Sequence, residues 1–547
     1  MEKRNKIERL KTTLSPAAFG KKLSEVIWSD PSEADRFYLK NYGIYNIKLR
    51  PEVWMLRLRF DGGIISHTQL YTIAHMAQTH QLQILITARA QIELHHIPPE
   101  ELYPLWQTLQ KAGIQTWQTL TDNFRAIVTD PLDGLSSDTQ IPAATLIAQM
   151  RESFYAKPAW LGTIPRKFNT AVIGRETPSF NPWGNDLLFA LAQKEEVWGF
   201  NLYLGGKNSE VAQDADIFCL PPEAPALFMA VAETYRRYGL RGSRAKIRLY
   251  HLIAERGMAQ VRCWIEESYG KPLSSAGIGR MHVSSRHTIE TNLQIRRYGS
   301  YGELSPDTLL SLLQESESET QHLRLTPHQE LWVIDPKRSP IAQRDNNHAV
   351  VTACAGSRYC PLSLWDIKQD LPDLPLQQLR QHGISLGFSG CLKGCGRHYH
   401  SDLGLIGLRT SNYGLPERAV RIFLGAVESP SPAPARMLYY VVPTRKLTQL
   451  LQLIIEDFEM SGYETFASYS QHLLRRYSAA FLQLWYMCRQ RVPKEKLPYD
   501  LFFRAAVTET DEQQIITQLY RIMDFPQEQS LYDSIRILSH QLWDRDQ

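Results

Sequence analysis

A duplicated fold of mixed helix and strand, α+β or α/β, is what the sequence predicts, and three observations carry the prediction. Short strand-like runs recur in the same order in two halves of the chain. Helical runs lie between them, the alternation expected of mixed architectures. A length of 547 residues also exceeds what one simple core accommodates and implies two to four domains.

Ile-Leu-Ile-Thr-Ala-Arg-Ala-Gln (84–91) matches Leu-Arg-Leu-Thr-Pro-His-Gln (323–329) loosely. Asp-Asn-Phe-Arg-Ala-Ile-Val-Thr (122–129) returns as Asp-Asn-Asn-His-Ala-Val-Val-Thr (345–352), an offset of 223. Phe-Asn-Leu-Tyr-Leu-Gly-Gly (200–206) returns as Val-Arg-Ile-Phe-Leu-Gly-Ala (420–426), an offset of 220. Each is an apolar run closing on turn residues, which reads as a strand entering a loop. So long a repeat implies two homologous halves, because solenoid units are far shorter. Apolar residues at helical spacing predict helices over 226–238, 246–255 and 446–458. The run 429–435, rich in Ser and Pro, predicts a loop, and 315–319 a solvated acidic stretch. Residues beyond about 480 have no counterpart in the first half and read as a helical extension that caps the fold or mediates association.

Composition is that of an ordinary globular protein, 43% hydrophobic and 22% charged. A net charge of +4 gives no case for nucleic-acid binding. No stretch approaches the roughly 20 apolar residues that span a bilayer. The N-terminal residues lack the apolar run of a signal peptide, so a cytoplasmic location is expected. Seven cysteines, an odd number, argue against a secreted disulfide framework. Cys219, Cys263 and Cys488 are expected to be buried thiols.

The other four cysteines are paired as Cys354-x5-Cys360, in Thr-Ala-Cys-Ala-Gly-Ser-Arg-Tyr-Cys, and Cys391-x3-Cys395, in Ser-Gly-Cys-Leu-Lys-Gly-Cys-Gly-Arg. Four soft thiolates satisfy a [4Fe–4S] cube. A zinc knuckle, or thiols unrelated in space, are the competing readings, but zinc pairs usually sit two to four residues apart. The five-residue gap and the flanking glycines suit a larger inorganic group.

Gly-Cys-Leu-Lys-Gly-Cys-Gly-Arg (390–397), followed by Ser-Asp-Leu-Gly-Leu-Ile-Gly (401–407), resembles the sirohaem and [4Fe–4S] signature of the nitrite/sulfite reductase family. The resemblance runs over most of residues 40–470. It implies Cys354, Cys360, Cys391 and Cys395 as cluster ligands, with Cys395 also bridging to the sirohaem iron and Arg397 beside the cofactor. It implies an α+β, pseudo-twofold duplicated architecture: paired ferredoxin-like half-domains and two α+β domains around sirohaem. The expected divisions are an N-terminal helical segment (1–40), half-domain 1 (41–115), a substrate-side domain (116–280), half-domain 2 (281–340), a sirohaem and cluster domain (341–480) and a helical extension (481–547). Asp130 and Pro131 stand where the sequence repeat puts Ala353 and Cys354.

Anionic substrates and the carboxylates of sirohaem call for fixed positive charge. Arg suits this through its planar fork and Lys as a compact charge that can also deliver a proton. Thr-Ala-Arg-Ala-Gln (87–91) resembles the family's Thr-x-Arg-Gln and offers Arg89, though Ala90 stands where Gln is usual and the Gln comes one place later. Residues 122–129 resemble Asp-Asn-Val-Arg-Asn and offer Arg125. Ile-Pro-Arg-Lys-Phe-Asn (164–169) resembles Pro-Arg-Lys-Phe and offers Arg166, Lys167 and Asn169. Arg89, Arg125, Lys167 and Asn169 are implied on the catalytic side, Arg166 and Arg244 on the cofactor side. For Arg244, in Arg-Gly-Ser-Arg-Ala-Lys-Ile-Arg (241–248), a charged helix face is an equal alternative. His95, His96, His398 and His400 read as structural or surface residues.

The implied reaction is the six-electron reduction of nitrite or sulfite. Asn169 favours nitrite, since sulfite enzymes usually carry Lys there and a dianion gains more from the added charge. No Gly-x-Gly-x-x-Gly follows a strand, so electrons are expected from a ferredoxin or flavodoxin to a monomeric enzyme. Leu392 and Lys393 replace the usual Pro-Asn. A Lys there is seen in precorrin-3B synthases, which with a non-catalytic sensor or scaffold complete the alternatives.

Overall fold

The computed structural model describes residues 4–47, 50–283, 293–315, 321–336, 351–429, 431–504 and 508–545. The chain divides into two compact units, Met1–Gln343 and Arg344–Gln547. The expected boundary at 340/341, most of the repeat element 345–352, nearly all of the acidic stretch 315–319 and Pro430 of the proline-rich loop lie outside the described residues.

In the first unit, a five-stranded antiparallel sheet is ordered Ile44–Ile47, Arg50–Arg57, Ile92–Ile97, Gln83–Ile86, Glu303–Leu304. Helices His67–Thr79 and Pro99–Lys111 follow the ferredoxin-like alternation. The first starts at a capping box in which Ser66 Oγ accepts from the Gln69 N–H and Gln69 Oε1 from the Ser66 N–H. A second, smaller half has strands Gln294–Tyr298, Leu331–Asp335 and His322–Leu325 with helix Pro306–Glu315. The halves share one core, in which Leu304, Leu309, Leu323 and Leu331 pack with Leu70, Ile73, Ile84 and Leu94.

The loose third repeat has a common backbone. Thr87 N–H donates to Gln91 O (2.8 Å) and Ala90 N–H to Thr87 O (2.9 Å); Thr326 and Gln329 repeat this with Glu330 and Thr326 (2.9 and 3.0 Å). Ala90 and Gln329 both sit at positive φ, +54° and +65°. The displaced glutamine also has a physical role. Gln91 grips Phe60 from both sides, accepting from its N–H (2.8 Å) and donating to its C=O (2.9 Å).

The remainder of the first unit is built on strand Thr170–Ile173, parallel to Leu187–Lys194, with Val197–Leu204 and Gln213–Cys219 added antiparallel. In the second unit Val351–Ala353, Leu386–Ser389 and Leu403–Thr410 are parallel, and Glu417–Leu424 and Arg436–Pro443 follow antiparallel. The duplication reaches single hydrogen bonds. Asn169 N–H donates to Asp186 (2.8 Å) and Gly205 N–H to Asp186 O (2.8 Å); Ser385 N–H donates to Asp402 (2.9 Å) and Gly425 N–H to Asp402 O (2.9 Å). Each sheet is followed by a helix, Ala224–Tyr238 in one unit and Thr444–Ser461 in the other, as their spacing predicts.

Three expectations are corrected. Residues 122–129 form no regular strand and make only single bridges, Phe124 to Phe168 and Val128 to Ala171. Side chains take the backbone groups that a strand neighbour would: Arg59 donates to Phe124 O (3.0 Å) and Arg125 O (3.2 Å), and Asp61 accepts from Ile127 N–H (2.8 Å). The helix expected over 246–255 begins at Leu249, because Tyr235 takes the Ile247 carbonyl (2.6 Å) and Arg248 is anchored to buried Asp186 (2.7 and 2.8 Å). Cys219 and Cys488 are buried but Cys263 is exposed, on the outer face of helix Met258–Tyr269.

The regular elements among the described C-terminal residues are all helical, chiefly Ala479–Arg491, Tyr499–Phe502, Glu509–Met523 and Leu531–Trp543. Trp485, Tyr486 and Trp543 are buried, so this segment completes the core of the second unit. Its anchor is Asp457, a fully buried carboxylate accepting from Trp485 Nε1 (2.7 Å), Arg489 (2.9 Å) and Tyr499 (3.0 Å). Asp457→Ala takes the acceptor from Trp485 and Tyr499 and leaves Arg489 only the more exposed Glu456 (3.0 Å); the expected cost is about 3–5 kcal/mol, measured as a lowered denaturant midpoint of the full chain.

Candidate active site

In the second unit the four paired cysteines lie beyond the carboxyl ends of neighbouring parallel strands, where ligands bind in open mixed sheets. Cys354 follows Val351–Ala353 directly, and Cys391 follows Leu386–Ser389 by two residues. The loops are laced together. Cys354 N–H donates to Phe388 O (2.9 Å), and Gly390 N–H donates to Cys354 Sγ (3.0 Å). Gly390 packs so tightly on Ser363 that any Cβ would collide with it. Gly356 and Gly394, at φ +74° and +71°, make the tight turns inside each pair.

Cys354 is buried, Cys360 and Cys391 are half-buried, and Cys395 is exposed. Burial, then the nearby Cys395, pushes the Cys354 thiol up to about 12, with Cys360 adding to it. The Cys354 sulfur therefore feels two of the other three. Among the described residues no three His, Cys, Asp or Glu side chains gather closely enough to hold a single ion. A soft four-thiol set on two stitched loops fits a polynuclear iron–sulfur group better than one zinc.

Arg397 is half-buried with positive φ (+60°), and burial, partly offset by Glu428, holds its guanidinium down to about 10. His398 is buried, its Nδ1 against Ser389 Oγ (2.9 Å), and burial followed by His400 takes it down to about 3. A neutral imidazole there supports the loop that carries Cys391 and Cys395.

In the first unit, cations gather where 122–125 runs beside 166–168, joined by Arg125 N–H to Phe168 O (2.8 Å) and Phe168 N–H to Asn123 O (3.0 Å). Arg89, on the hairpin turn, reaches in to Asn185 Oδ1 (2.8 Å) and Ala126 O (2.9 Å). Arg125 gives one Nη to Thr121 O (3.0 Å), while the other is buried without a partner. Burial, then Arg57, Arg166 and Arg89, lowers its guanidinium well below the usual range. Lys167 is half-buried, and Asn169 presents a buried Oδ1 with no donor. The orphaned Arg125 donor among crowded positive charges fits an anionic group.

Arg244 is bound bidentate to fully buried Asp122 (2.7 and 2.8 Å), so its fork already has a partner. Lys11, from the N-terminal helix Lys6–Thr13, reaches the same carboxylate at 2.9 Å, and Arg166 lies 3.6 Å from it. Lys11 and Asp122 were not singled out from the sequence. A bond spanning 111 residues leaves no local pattern. Arg57 was missed likewise. Its Nε donates to Glu93 (2.8 Å), whose other oxygen meets His95 Nε2 (2.9 Å). His95 thus holds a carboxylate that orients an arginine; His96 is half-buried at φ +65°.

Sheet register also revises the sequence repeat by one place. Val128 bridges Ala171 as Thr352 pairs with Gly387, which sets Asp130 opposite Cys354 in the repeat, and Arg175 opposite Cys391. In the first unit those positions hold a buried ion pair of 2.5 Å.

Glu93 supplies a pH test. Burial raises its pKa, but Arg57 and His95 outweigh burial and bring it from 4.5 down to about 2. A depressed carboxyl stabilises the fold above its unfolded pKa and loses that contribution as pH falls through the folded one. About 3 kcal/mol is at stake between pH 5 and pH 2. The gap in unfolding free energy between the parent chain and Glu93→Gln should close across that window.

Two family models match the chain: the nitrite/sulfite reductase ferredoxin-like half domain over residues 47–112, and the nitrite and sulphite reductase 4Fe-4S domain over 120–273. The second match lies within the first unit, which contains none of the four paired cysteines. A ferredoxin–nitrite reductase of Synechococcus elongatus is 27% identical over 469 residues, 78% of this chain and 90% of that protein. An assimilatory ferredoxin-dependent nitrite reductase of Haloferax mediterranei is 24% identical over 83% of this chain and 91% of its own. A ferredoxin sulfite reductase of Mycobacterium tuberculosis is 26% identical over 66% and 71%. The solved structure of the Mycobacterium tuberculosis NirA protein shares the fold, with a TM-score of 0.76 over 87% of this chain and 97% of that one at 22% identity. Among the described residues no helix is long and apolar enough to cross a membrane.

Proposed function

Because the chain belongs to the nitrite and sulphite reductase family, we propose that it reduces nitrite to ammonium, with electrons from a ferredoxin-type carrier. The reaction consumes six electrons and eight protons and releases two waters. Arg125 carries the reading: a half-buried arginine with one buried, unpartnered Nη, crowded by Arg57, Arg166 and Arg89, calls for an anion. Cys354, Cys360, Cys391 and Cys395 would hold a [4Fe–4S] cluster, with Cys395, the exposed thiol, on the side of a sirohaem. When bound, these groups supply the one-electron chemistry and a reduced iron for the substrate nitrogen.

The protein's own share is charge and protons. Arg89 is fixed by Asn185 and Ala126, which holds its guanidinium in place before an anion arrives. Arg125 neutralises the oxyanion, and Lys167 delivers protons as each oxygen departs as water. Asn169 adds a polar atom and no charge, which suits a monoanion. Reduction of sulfite, which ferredoxin-dependent relatives of this chain perform by name, is the second reading, and the same cations support it.

Two measurements test this. Cys395→Ser should lose iron and acid-labile sulfide while Cys488→Ser, whose thiol is buried within helix Ala479–Arg491, keeps both; iron loss in the Cys488 variant overturns the ligand assignment. Lys167→Ala should retain iron and lower nitrite turnover with a reduced viologen by roughly ten- to a thousandfold, as a contact of a few kcal/mol in the transition state implies. Unchanged turnover of both nitrite and sulfite defeats the cation-site reading, and a parent enzyme faster on sulfite reverses the substrate.

A further inference from the structure

Resting on that functional reading, we infer that Lys40 is a further cofactor-site cation, forming with Arg166 a subsite for a carboxylate of a polycarboxylate tetrapyrrole. Lys40 opens the short turn Lys40–Tyr42 that ends helix Glu33–Leu39. The turn is locked in place. Asn41 Oδ1 accepts from Asn123 Nδ2 (2.9 Å), Asn41 O accepts from Gln118 N–H (2.7 Å), and Gly43, at φ +80°, leaves no room for a Cβ against Thr116 and Arg57. The Lys40 backbone is therefore fixed beside the segment that carries Asp122.

Charge around it does not balance. Lys11, Arg166 and Arg244 lie against one buried carboxylate, Asp122, Lys40 is near enough to feel Arg166, Arg244 and Asp122, and Lys11 has a second partner in Glu8 (2.6 Å). Asp122 is already filled by Lys11 and the Arg244 fork. Two cations are left over. Among the described residues Arg166 has no acid nearer than Asp122 at 3.6 Å, and the Lys40 ammonium has only the Tyr45 ring, 5.3 Å to its centroid. Burial, then Arg166 and Arg244, holds that ammonium below the usual lysine range. Half-buried like charges repel one another in the free protein, a cost that only an anion relieves. A carboxylate is the matching anion, because Arg166 offers a planar fork and Lys40 a point charge beside it.

The full-length enzyme with Lys40→Met decides this through sirohaem per chain after desalting at low and high salt. Retention should fall about tenfold or more, most steeply at high salt, and Lys40→Arg should restore most of it. Cluster iron and sulfide should be unchanged. KM for nitrite in the loaded fraction should stay within about twofold, which separates a cofactor carboxylate from the small oxyanion substrate. The melting temperature of the full chain made in cells unable to supply sirohaem should rise, since removing an unpaired charge relieves repulsion. Full retention, or a raised KM with full retention, overturns the assignment. So does a variant that fails to fold, because the ammonium's one contact, the Tyr45 ring, is one that a methionine side chain also makes. A parent chain that never takes up sirohaem defeats the functional reading itself, whereas normal sirohaem in Lys40→Met defeats only the role of Lys40.

Discussion

Asp122 is a carboxylate removed from water in the middle of an arginine-rich face, and the arrangement of the first unit's cations follows from that placement. Burial alone would raise its pKa. Lys11 and Arg244 outweigh burial and keep it ionised. The N-terminal helix is thereby tied to the segment 241–248, more than two hundred residues away, and Arg241 to Glu8 (2.5 Å) repeats the tie. With Arg244 held, Arg166 and its neighbours are left as surplus charge. On the proposed reading, a site for an anion arises as the remainder of a structural ion-pair network, and the same bonds that stabilise the fold set its shape.

A second network positions the other edge. Arg57, Glu93 and His95 form a chain along two paired strands, with Glu93 opposite Arg57 in register. Arg59, two residues on and past the end of strand Arg50–Arg57, closes on Asp61, whose second role is to accept from Ile127 N–H. Arg57 bears on Arg125 through its charge, whereas Arg59 donates to the Phe124 and Arg125 carbonyls of the loop itself. Two arginines of one short run do unlike work because the strand ends between them.

What could be read in advance follows the range of each signal. Paired cysteines, the Arg-Lys-Phe-Asn run and the helices with clean apolar spacing are local, and each can be read within one short segment. Lys40, Lys11 and the Arg57–Glu93–His95 chain were illegible because their meaning lies in partners tens to hundreds of residues away. Residues 122–129 misled in the opposite way: apolar alternation suggests a strand, but the side chains of Arg59 and Asp61 take the backbone groups a ladder would need. The repeat was visible, but its register was off by one. Sequence matching aligned like residues, whereas strand pairing aligns Asp130 with Cys354, two side chains with no chemistry in common.

That alignment gives the two halves different requirements for maturation. In the first, the loop beyond the parallel strands is closed by Asp130 and Arg175, with Ser136 and Asp138 adding to the Arg175 fork, all supplied by the polypeptide. In the second, the same places hold sulfur, and a buried thiol beside other thiols gains its counter-charge only from outside the chain. On the proposed reading, one half can finish folding on the ribosome's product alone, and the other waits on the cell's iron and sulfide supply. Iron starvation would then leave a protein half mature, its anion-binding loops in place before the electron-carrying ones.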